Sequence, residues 1–386
     1  MKKIAVLTAT RAEYGLLSPI IKGLQDGDAF DVRVIVTGAH LSPEFGLTFR
    51  EIEKDKVKID RKIETLLSGD TPAAISKSMG LAMIGFADYF SENRPDALMV
   101  LGDRYETLAV CCAAMNECIP IIHLYGGETT EGAVDEAIRH AITKMSYLHF
   151  TSTEEYRRRV IQLGESPDRV FNVGAIGVEN ALKTRLLGRE DLEKSLNLPL
   201  DKPYAVVTFH PVTLEQETAG DQYAEVLKAF EAHPELQYII TKANADRDGR
   251  VINQMTDEFT AKHKNAVSFD SLGKVRYLSA LKYAALVIGN SSSGIIEAPS
   301  FNIPTINIGD RQKGRLQAES VLNCVPETAA VSEAVKKAMS KDFHQEGEPV
   351  VNPYGDGNTT EKIIDVIKKT FVENRVDLKK TFYDIR

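Results

Sequence analysis

The 386-residue sequence predicts an α/β protein of two doubly wound parallel-sheet domains facing each other across a cleft, and three observations lead there. Short, wholly apolar runs alternate with stretches whose apolar residues recur at helical spacing, the pattern of parallel strands covered on both faces. Polar, glycine-containing loops follow the apolar runs, at the strand ends where such sheets bind ligands. The alternation breaks once, in a charged stretch near the middle, and then starts again. A chain of this length fits two ordinary domains better than one, and 43% hydrophobic residues supply apolar surface for two cores.

In chain order, Ile4 to Leu7 reads as a strand, Thr8 to Tyr14 as a polar loop, and Leu16, Leu17, Ile20, Ile21 and Leu24 as a helix face. The unit recurs at Val32 to Val36 with the Gly38 to His40 turn, at Ala97 to Leu101 with Gly102-Asp103, and at Pro120 to Leu124 with Gly126-Gly127. Between Gly177 and Pro203 the charged helical run Arg189-Glu190-Asp191-Leu192-Glu193-Lys194 marks the crossing between domains, so residues 1–180 form the first Rossmann-like domain and 181–365 the second. The second sheet begins at Ala205 to Phe209 and continues through Tyr238 to Ile240, Val267 to Phe269, Leu286 to Ile288 and Thr305 to Ile308. The last helical pattern, around Ile363, Ile364, Val366, Ile367 and Phe371, either finishes the second domain or, as a helix over 366–386, packs back on the first. No short repeat or low-complexity segment interrupts this order.

Charge and cysteine content narrow the partners. Lys+Arg 47 against Asp+Glu 55 leaves a net charge of −8 without a long basic run, which argues against nucleic acid and leaves room for a small anion in one pocket. Cys111, Cys112, Cys118 and Cys324 show no CxxC or metal-type spacing and read as reduced residues of a soluble cytoplasmic protein. The opening apolar segment is too short for a signal peptide or a membrane span, so no membrane partner is expected.

The stretch Gly289-Asn290-Ser291-Ser292-Ser293-Gly294-Ile295-Ile296-Glu297 follows an apolar strand and opens a helix. Small residues let the backbone approach a ligand, hydroxyls add donors, and the free N–H groups of a first helical turn favour a phosphate. Glu297, about two turns on, is placed to accept the hydroxyls of a ribose. A plain N-capped helix after a serine loop fits the same residues. The loop Thr8 to Tyr14 lacks GxGxxG and GxxxxGK[ST], which disfavours a dinucleotide or ordinary P-loop site. In it, Arg11 is either a bidentate clamp for a diphosphate or a surface partner of Glu13.

Asp103, just past a buried strand, either caps the next helix or points into the cleft. Glu128 after the Gly126-Gly127 turn and Asp135 at a helix start can face the same space. Three converging acids would perturb one another's pKa values, as proton transfer requires; separately, each reads as a solvated surface acid. His210 ends the second domain's first strand, where it either serves the structure or donates to a phosphate or carries a proton. Asp246-Arg247-Asp248 resembles the D-x-D pattern of metal-dependent glycosyltransferases, but its acids lie between Lys242 and Arg250 at a helix entry where acids are expected anyway. His123, His140, His149 and His263 lack zinc spacing, so no metal is expected.

Taken in order, Thr10-Arg11-Ala12-Glu13-Tyr14-Gly15, Thr37-Gly38-Ala39-His40, Leu101-Gly102-Asp103-Arg104-Tyr105-Glu106, Gly126-Gly127-Glu128, Asp135-Glu136-Ala137-Ile138-Arg139-His140, His210-Pro211, Gly289 to Gly294 and Ile308-Gly309-Asp310-Arg311-Gln312 resemble one family. It is the hydrolysing UDP-N-acetylglucosamine 2-epimerases of bacterial sialic acid synthesis, and the likeness runs from about Lys3 to Gly314. The resemblance implies a GT-B-type fold and conversion of UDP-N-acetylglucosamine and water into N-acetylmannosamine and UDP, without metal, nicotinamide or other cofactor, by a homodimer or homotetramer. It also implies Asp103, Glu128, Asp135 and His210 as catalytic residues, with Arg11, Glu13, His40, Tyr277, Ser291, Ser292, Glu297 and Arg311 binding substrate. One departure stands out. Many relatives carry a glutamate two residues after the histidine of an H-x-E-x-G segment, and here that place is Tyr125. Either Glu128 takes over, or the sugar differs: a UDP-linked 2,4-diacetamido-2,4,6-trideoxyglucose on the route to legionaminic acid, or a GDP-linked sugar. A retaining GT-B glycosyltransferase and a non-catalytic nucleotide-sugar sensor are the rival readings.

Overall fold

Residues 4 to 8 are buried without interruption in strand β1 (Lys2–Thr8), so both faces of the sheet must be covered there. The side chains alternate as a strand requires. Ile4 and Val6 enter one core with Leu17, Ile20, Val34, Val36 and Met99, while Ala5 and Leu7 enter another with Ile35, Phe86, Phe90, Leu98, Val100 and Val110. Burying each large aliphatic side chain contributes roughly 1.5–3 kcal/mol. The computed structural model describes all residues except 70, 132, 213–217, 244–248, 341–349 and 386.

The first sheet continues with β2 (Phe30–Thr37), β3 (Ile59–Ile63), β4 (Ala97–Leu101), β5 (Ile121–Leu124), β6 (Leu148–Thr151) and β7 (Val170–Asn172). Its order is β3-β2-β1-β4-β5-β6-β7, parallel throughout. The second sheet contains β8 (Tyr204–Thr208), β9 (Gln237–Thr241), β10 (Ala266–Phe269), β11 (Leu286–Gly289), β12 (Thr305–Ile308) and β13 (Val321–Cys324) in the parallel order β10-β9-β8-β11-β12-β13. In each sheet the order reverses beside the first strand, at β1/β4 and at β8/β11. The loops leaving those strands are therefore the expected ligand loops of a doubly wound sheet.

The chain divides into two compact units. The first holds Met1–Glu128, Asp135–Glu179 and Tyr354–Arg386; the second holds Thr129–Val134 and Asn180–Pro353. The charged run over 189–194 forms helix Arg189–Leu196, whose Leu192 and Leu196 are buried in a core of the second unit with Val206, Ile239 and Leu278. The chain re-enters the first unit at Tyr354, ahead of 366. Tyr156 and Tyr354 pair their hydroxyls at 3.2 Å, and Ala175 N–H donates to the Tyr354 carbonyl at 2.8 Å. Helix Thr359–Lys368 then buries Ile363 and Ile367 in the core that also takes Leu17 and Ile20. No helix spans 366–386: a single π turn, Lys369–Glu373, follows, and residues 374–385 run without helix. That tail is held instead by Lys380, whose Nζ donates to both oxygens of buried Glu165 at 3.0 and 2.9 Å.

Candidate active site

In the first unit the loop after β1 is fixed by its own helix. Thr10 caps helix Arg11–Gln25, with its hydroxyl accepting from Glu13 N–H, and Glu13 reaches back to the N–H groups of Ala9 and Thr10 at 2.6 and 3.1 Å. Glu13, expected at the substrate, is buried and uses one carboxyl oxygen, Oε2, for this capping contact. Burial pushes its pKa up to about 7, against the pull of the Arg104 charge and the Ala9 N–H and with the push of Glu106. Arg11 occupies the first helical position, and its Nη1 lies 3.9 Å from Glu51. His40, also expected at the substrate, is fully buried, with Nε2 3.0 Å from the Thr8 hydroxyl and Nδ1 2.8 Å from that of Thr48. Burial depresses its pKa to about 4, so it is a neutral fastener of the β1 and β2 loops.

Asp103 leaves β4 after Gly102 and is the hydrogen-bond acceptor of Arg139 Nη2. Arg139 is buried on helix Asp135–Met145, one turn after Asp135, and its Nη1 also donates to Glu136 at 3.4 Å. Glu136 in turn lies 3.2 Å from His140 Nε2. One guanidinium thus joins the β4 loop to the helix that starts with Asp135. Glu128 is buried and accepts from Ser152 Oγ at 2.7 Å, so it stands against the end of β6 instead of in solvent. Beside the pair, Arg104 donates to buried Glu106 at 3.2 and 3.3 Å.

Tyr125 replaces the glutamate expected at its position and does different work. Its backbone is left-handed, at φ 68°, a conformation few bulky residues adopt. Its hydroxyl accepts from the N–H groups of Ile176 and Gly177 at 2.8 and 3.3 Å, capping the first turn of helix Ile176–Lys183. Gly127, two residues on, has φ 77°, and a Cβ there would lie 2.4 Å from the Tyr156 carbonyl oxygen. The turn carrying Glu128 therefore requires glycine.

In the second unit the hub is Asn290. Its side chain accepts from His210 N–H and donates to the His210 carbonyl, both at 2.7 Å, while its own carbonyl accepts from Arg311 Nη1 at 3.1 Å and Gln312 Nε2 at 2.9 Å. The loops after β8, β11 and β12 are thereby brought together, with His210 buried. Ser291 caps the short helix Ser292–Ile296, its hydroxyl accepting from Ser293 N–H, and Glu297 ends that helix. Tyr277 is half-buried on helix Gly273–Tyr283; burial pushes its phenol up to about 12, beside Ser293, Glu297 and Thr208. Arg315 Nε donates to the Thr129 carbonyl at 3.0 Å within this unit. Asp246-Arg247-Asp248 lies outside the described residues.

Sequence reading passed over Arg139, Ser152 and the clamping role of Asn290, although all three are polar residues at the edges of the singled-out loops. It also passed over the Thr10-x-x-Glu13 spacing, the capping-box signal that could have placed Glu13 against its own helix.

Two parallel-sheet units, each with its polar loops at the strand-order reversal, define a GT-B-like fold. A family profile described as UDP-N-acetylglucosamine 2-epimerase matches residues 22–368. The chain is similar to the GDP/UDP-N,N'-diacetylbacillosamine 2-epimerase (hydrolyzing) of Campylobacter jejuni, with 43% identity over 385 residues covering 100% of this chain and 99% of that one. It is 40% identical to the polysialic acid biosynthesis protein P7 of Escherichia coli, covering 100% and 98%. Its fold matches that of UDP-GlcNAc 2-epimerase from Neisseria meningitidis bound to UDP-GlcNAc, at a TM-score of 0.80 and 18% identity over 95% of this chain and 100% of that one. The chain belongs to the UDP-N-acetylglucosamine 2-epimerase family. Its activity is that of a hydrolysing UDP-sugar 2-epimerase.

Proposed function

We propose that the chain hydrolyses and epimerises a UDP-linked N,N'-diacetylbacillosamine, a 2,4-diacetamido-2,4,6-trideoxyglucose, releasing UDP and the free sugar inverted at C2. The observation that carries this choice is the 43% identity, across essentially both full lengths, with the Campylobacter enzyme named for that sugar. UDP-N-acetylglucosamine, giving N-acetylmannosamine for sialic acid synthesis, is the second reading, favoured by the family description and by the E. coli polysialic acid relative.

The chemistry suits the residues. The C2–H of a sugar is not acidic, so a base removes it as the C1–oxygen bond to UDP breaks, leaving a glucal; water then adds at C1 while an acid returns a proton to C2 from the opposite face. We assign this proton traffic to Asp103, Glu128 and Asp135, supported by the Arg139 link between Asp103 and the helix of Asp135. Departure of UDP needs cations and oriented donors where the diphosphate gains charge. We assign these to Arg11, His210, Ser291, Ser292 and Arg311, with Glu297 at the ribose and Tyr277 at the base, supported by the clustering of the second unit's loops on Asn290. The enzyme works without cofactor, in the cytoplasm, as a homo-oligomer; among the described residues no helix is long and apolar enough to cross a membrane.

Incubating the pure protein in D2O with each UDP-sugar separately, followed by proton NMR, tests the reading. Free manno-configured sugar with deuterium at C2 is expected, formed faster from the diacetamido substrate. Faster turnover of UDP-N-acetylglucosamine reverses the substrate choice, and no free sugar from either excludes a hydrolysing epimerase.

A further inference from the structure

The turn at residues 125–128, which carries Glu128, is tied repeatedly to one stretch of chain, residues 150–177. Tyr125 N–H donates to the Phe150 carbonyl at 2.9 Å, extending the pairing of β5 with β6, and its hydroxyl accepts from Ile176 and Gly177 N–H at 2.8 and 3.3 Å. Arg159 Nη1 donates to the Gly127 carbonyl at 2.6 Å. Glu128 Oε1 accepts from Ser152 Oγ at 2.7 Å, and both of these residues are buried. The tyrosine thus stands at one end of the turn and the carboxylate at the other.

The end that needs holding is Tyr125. Its φ of 68° is left-handed, a conformation that a bulky residue keeps only where its surroundings impose it. The amide bond to Phe150 fixes where the strand stops; the hydroxyl, bound to two N–H groups at the start of helix Ile176–Lys183, fixes the ring and with it the direction in which the chain leaves. The two glycines that follow pass that direction on. A Cβ would lie 3.1 Å from His123 Nδ1 and Thr143 Oγ1 at Gly126, and 2.4 Å from the Tyr156 carbonyl oxygen at Gly127, so the turn lies close against its neighbours. We propose, on the assignment of Glu128 to proton transfer, that Tyr125 is a positioning residue for the reaction: its hydroxyl holds the left-handed backbone that sets where Glu128 begins, and Ser152 fixes the far end of the same side chain.

Steady-state kinetics on the UDP-sugar that the wild type turns over faster, with calorimetric titration of UDP, test this on the full chain. Tyr125→Phe keeps the ring and removes only the acceptor; kcat should fall roughly 10²-fold while UDP affinity stays at the wild-type value. Ser152→Ala, which leaves the backbone contacts of the turn in place, should lower kcat as well. Because both act through one carboxylate, the double variant should lose no more than the worse single variant. Tyr89→Phe is the control for mere loss of a buried hydroxyl bond, here to Asp60 at 2.7 Å, and should keep the wild-type kcat. A wild-type kcat in Tyr125→Phe or Ser152→Ala overturns the proposal, as do losses that add in the double variant or an equal loss in Tyr89→Phe. Glu128→Gln separates the two levels: an inactive Glu128→Gln beside a fully active Tyr125→Phe refutes the positioning alone, whereas near-normal turnover in Glu128→Gln removes Glu128 from the chemistry and this role of Tyr125 with it.

Discussion

Asn290 grips the backbone of His210 from both sides, accepting from its N–H and donating to its carbonyl at 2.7 Å each. A carboxamide sets this donor and acceptor side by side on one carbon, which only asparagine and glutamine do, and the longer glutamine would displace the strand ends. Because the same residue's carbonyl takes Arg311 and Gln312, three loops depend on one side chain.

Asn290→Ala should therefore act beyond its own site. It leaves the buried backbone polar groups of His210 without their partner, at about 1–3 kcal/mol. We expect lower stability in denaturant titrations together with weaker UDP binding by calorimetry. Asn290→Asp keeps the acceptor but turns a carboxylate oxygen toward the His210 carbonyl, and should be no better. Unchanged UDP affinity in Asn290→Ala would show that His210 and Arg311 keep their places without the clamp.

Asp103 and Arg139 give a second test, because the guanidinium holds the carboxylate that we assign to proton transfer. Asp103→Asn should lower kcat by roughly 10²–10⁴-fold while UDP still binds. Arg139→Lys keeps the charge but loses the fork that reaches Asp103 and Glu136 together, so it should also lose turnover, with a shifted pH profile of kcat. An Asp103→Asn enzyme of near-normal kcat would remove this aspartate from the chemistry.

Most interior strands were legible as short, largely apolar runs: β4 falls on Ala97 to Leu101 and β12 on Thr305 to Ile308 although Thr305 and Asn307 are buried polar residues, while β6 (Leu148–Thr151), with His149 inside it, went unread. Three of the four edge strands were not legible, and only β10 was read, at Val267 to Phe269. β3 reads Ile59-Asp60-Arg61-Lys62-Ile63, charged because one side faces water, and β7 and β13 are three and four residues long. At the site, loop positions could be read from the strand ends, but side-chain direction could not. His40 and Glu13 stand in the expected loops and turn inward, to Thr8 and Thr48 and to Ala9 and Thr10. Tyr125 likewise occupies a position associated with acid chemistry yet caps a helix, a contact 51 residues away that no local pattern announces.

Glu13 also predicts a pH dependence. Its folded pKa is raised by burial from 4.5 to about 7, so between those values the unfolded chain releases this proton while the folded protein retains it. Stability from this group is full below about pH 4.5 and declines as pH rises to about 7. Glu13→Gln preserves the acceptor that caps Ala9 and Thr10 but cannot ionise. The stability of wild type relative to Glu13→Gln, from paired urea titrations, should fall across that window and level off above it. A difference that stays flat from pH 4.5 to 7.5 would mean that Glu13 is ionised like an ordinary surface carboxylate.

Gly289 should be the least replaceable residue of the second unit's site. It ends β11 opposite Thr208 of β8, with φ 136°, a region that side-chain-bearing residues avoid. A Cβ there would fall 1.9 Å from the Thr208 carbonyl oxygen, an atom fixed in the sheet ladder, so the backbone itself must move. The same carbonyl accepts from Asn290 N–H at 3.1 Å, and Asn290 is the clamp on His210. Gly289→Ala thus combines backbone strain with displacement of the β8 loop, and we expect more than about 2 kcal/mol of destabilisation. UDP affinity should fall with it even at temperatures where the variant is fully folded. Gly15→Ala, on a helix position where the added carbon meets nothing beyond its own helix, is the control: it should gain up to about 1 kcal/mol of helix stability and bind UDP as wild type does. If Gly289→Ala unfolds at the wild-type midpoint and binds UDP normally, the close approach of β11 to β8 is not what holds His210.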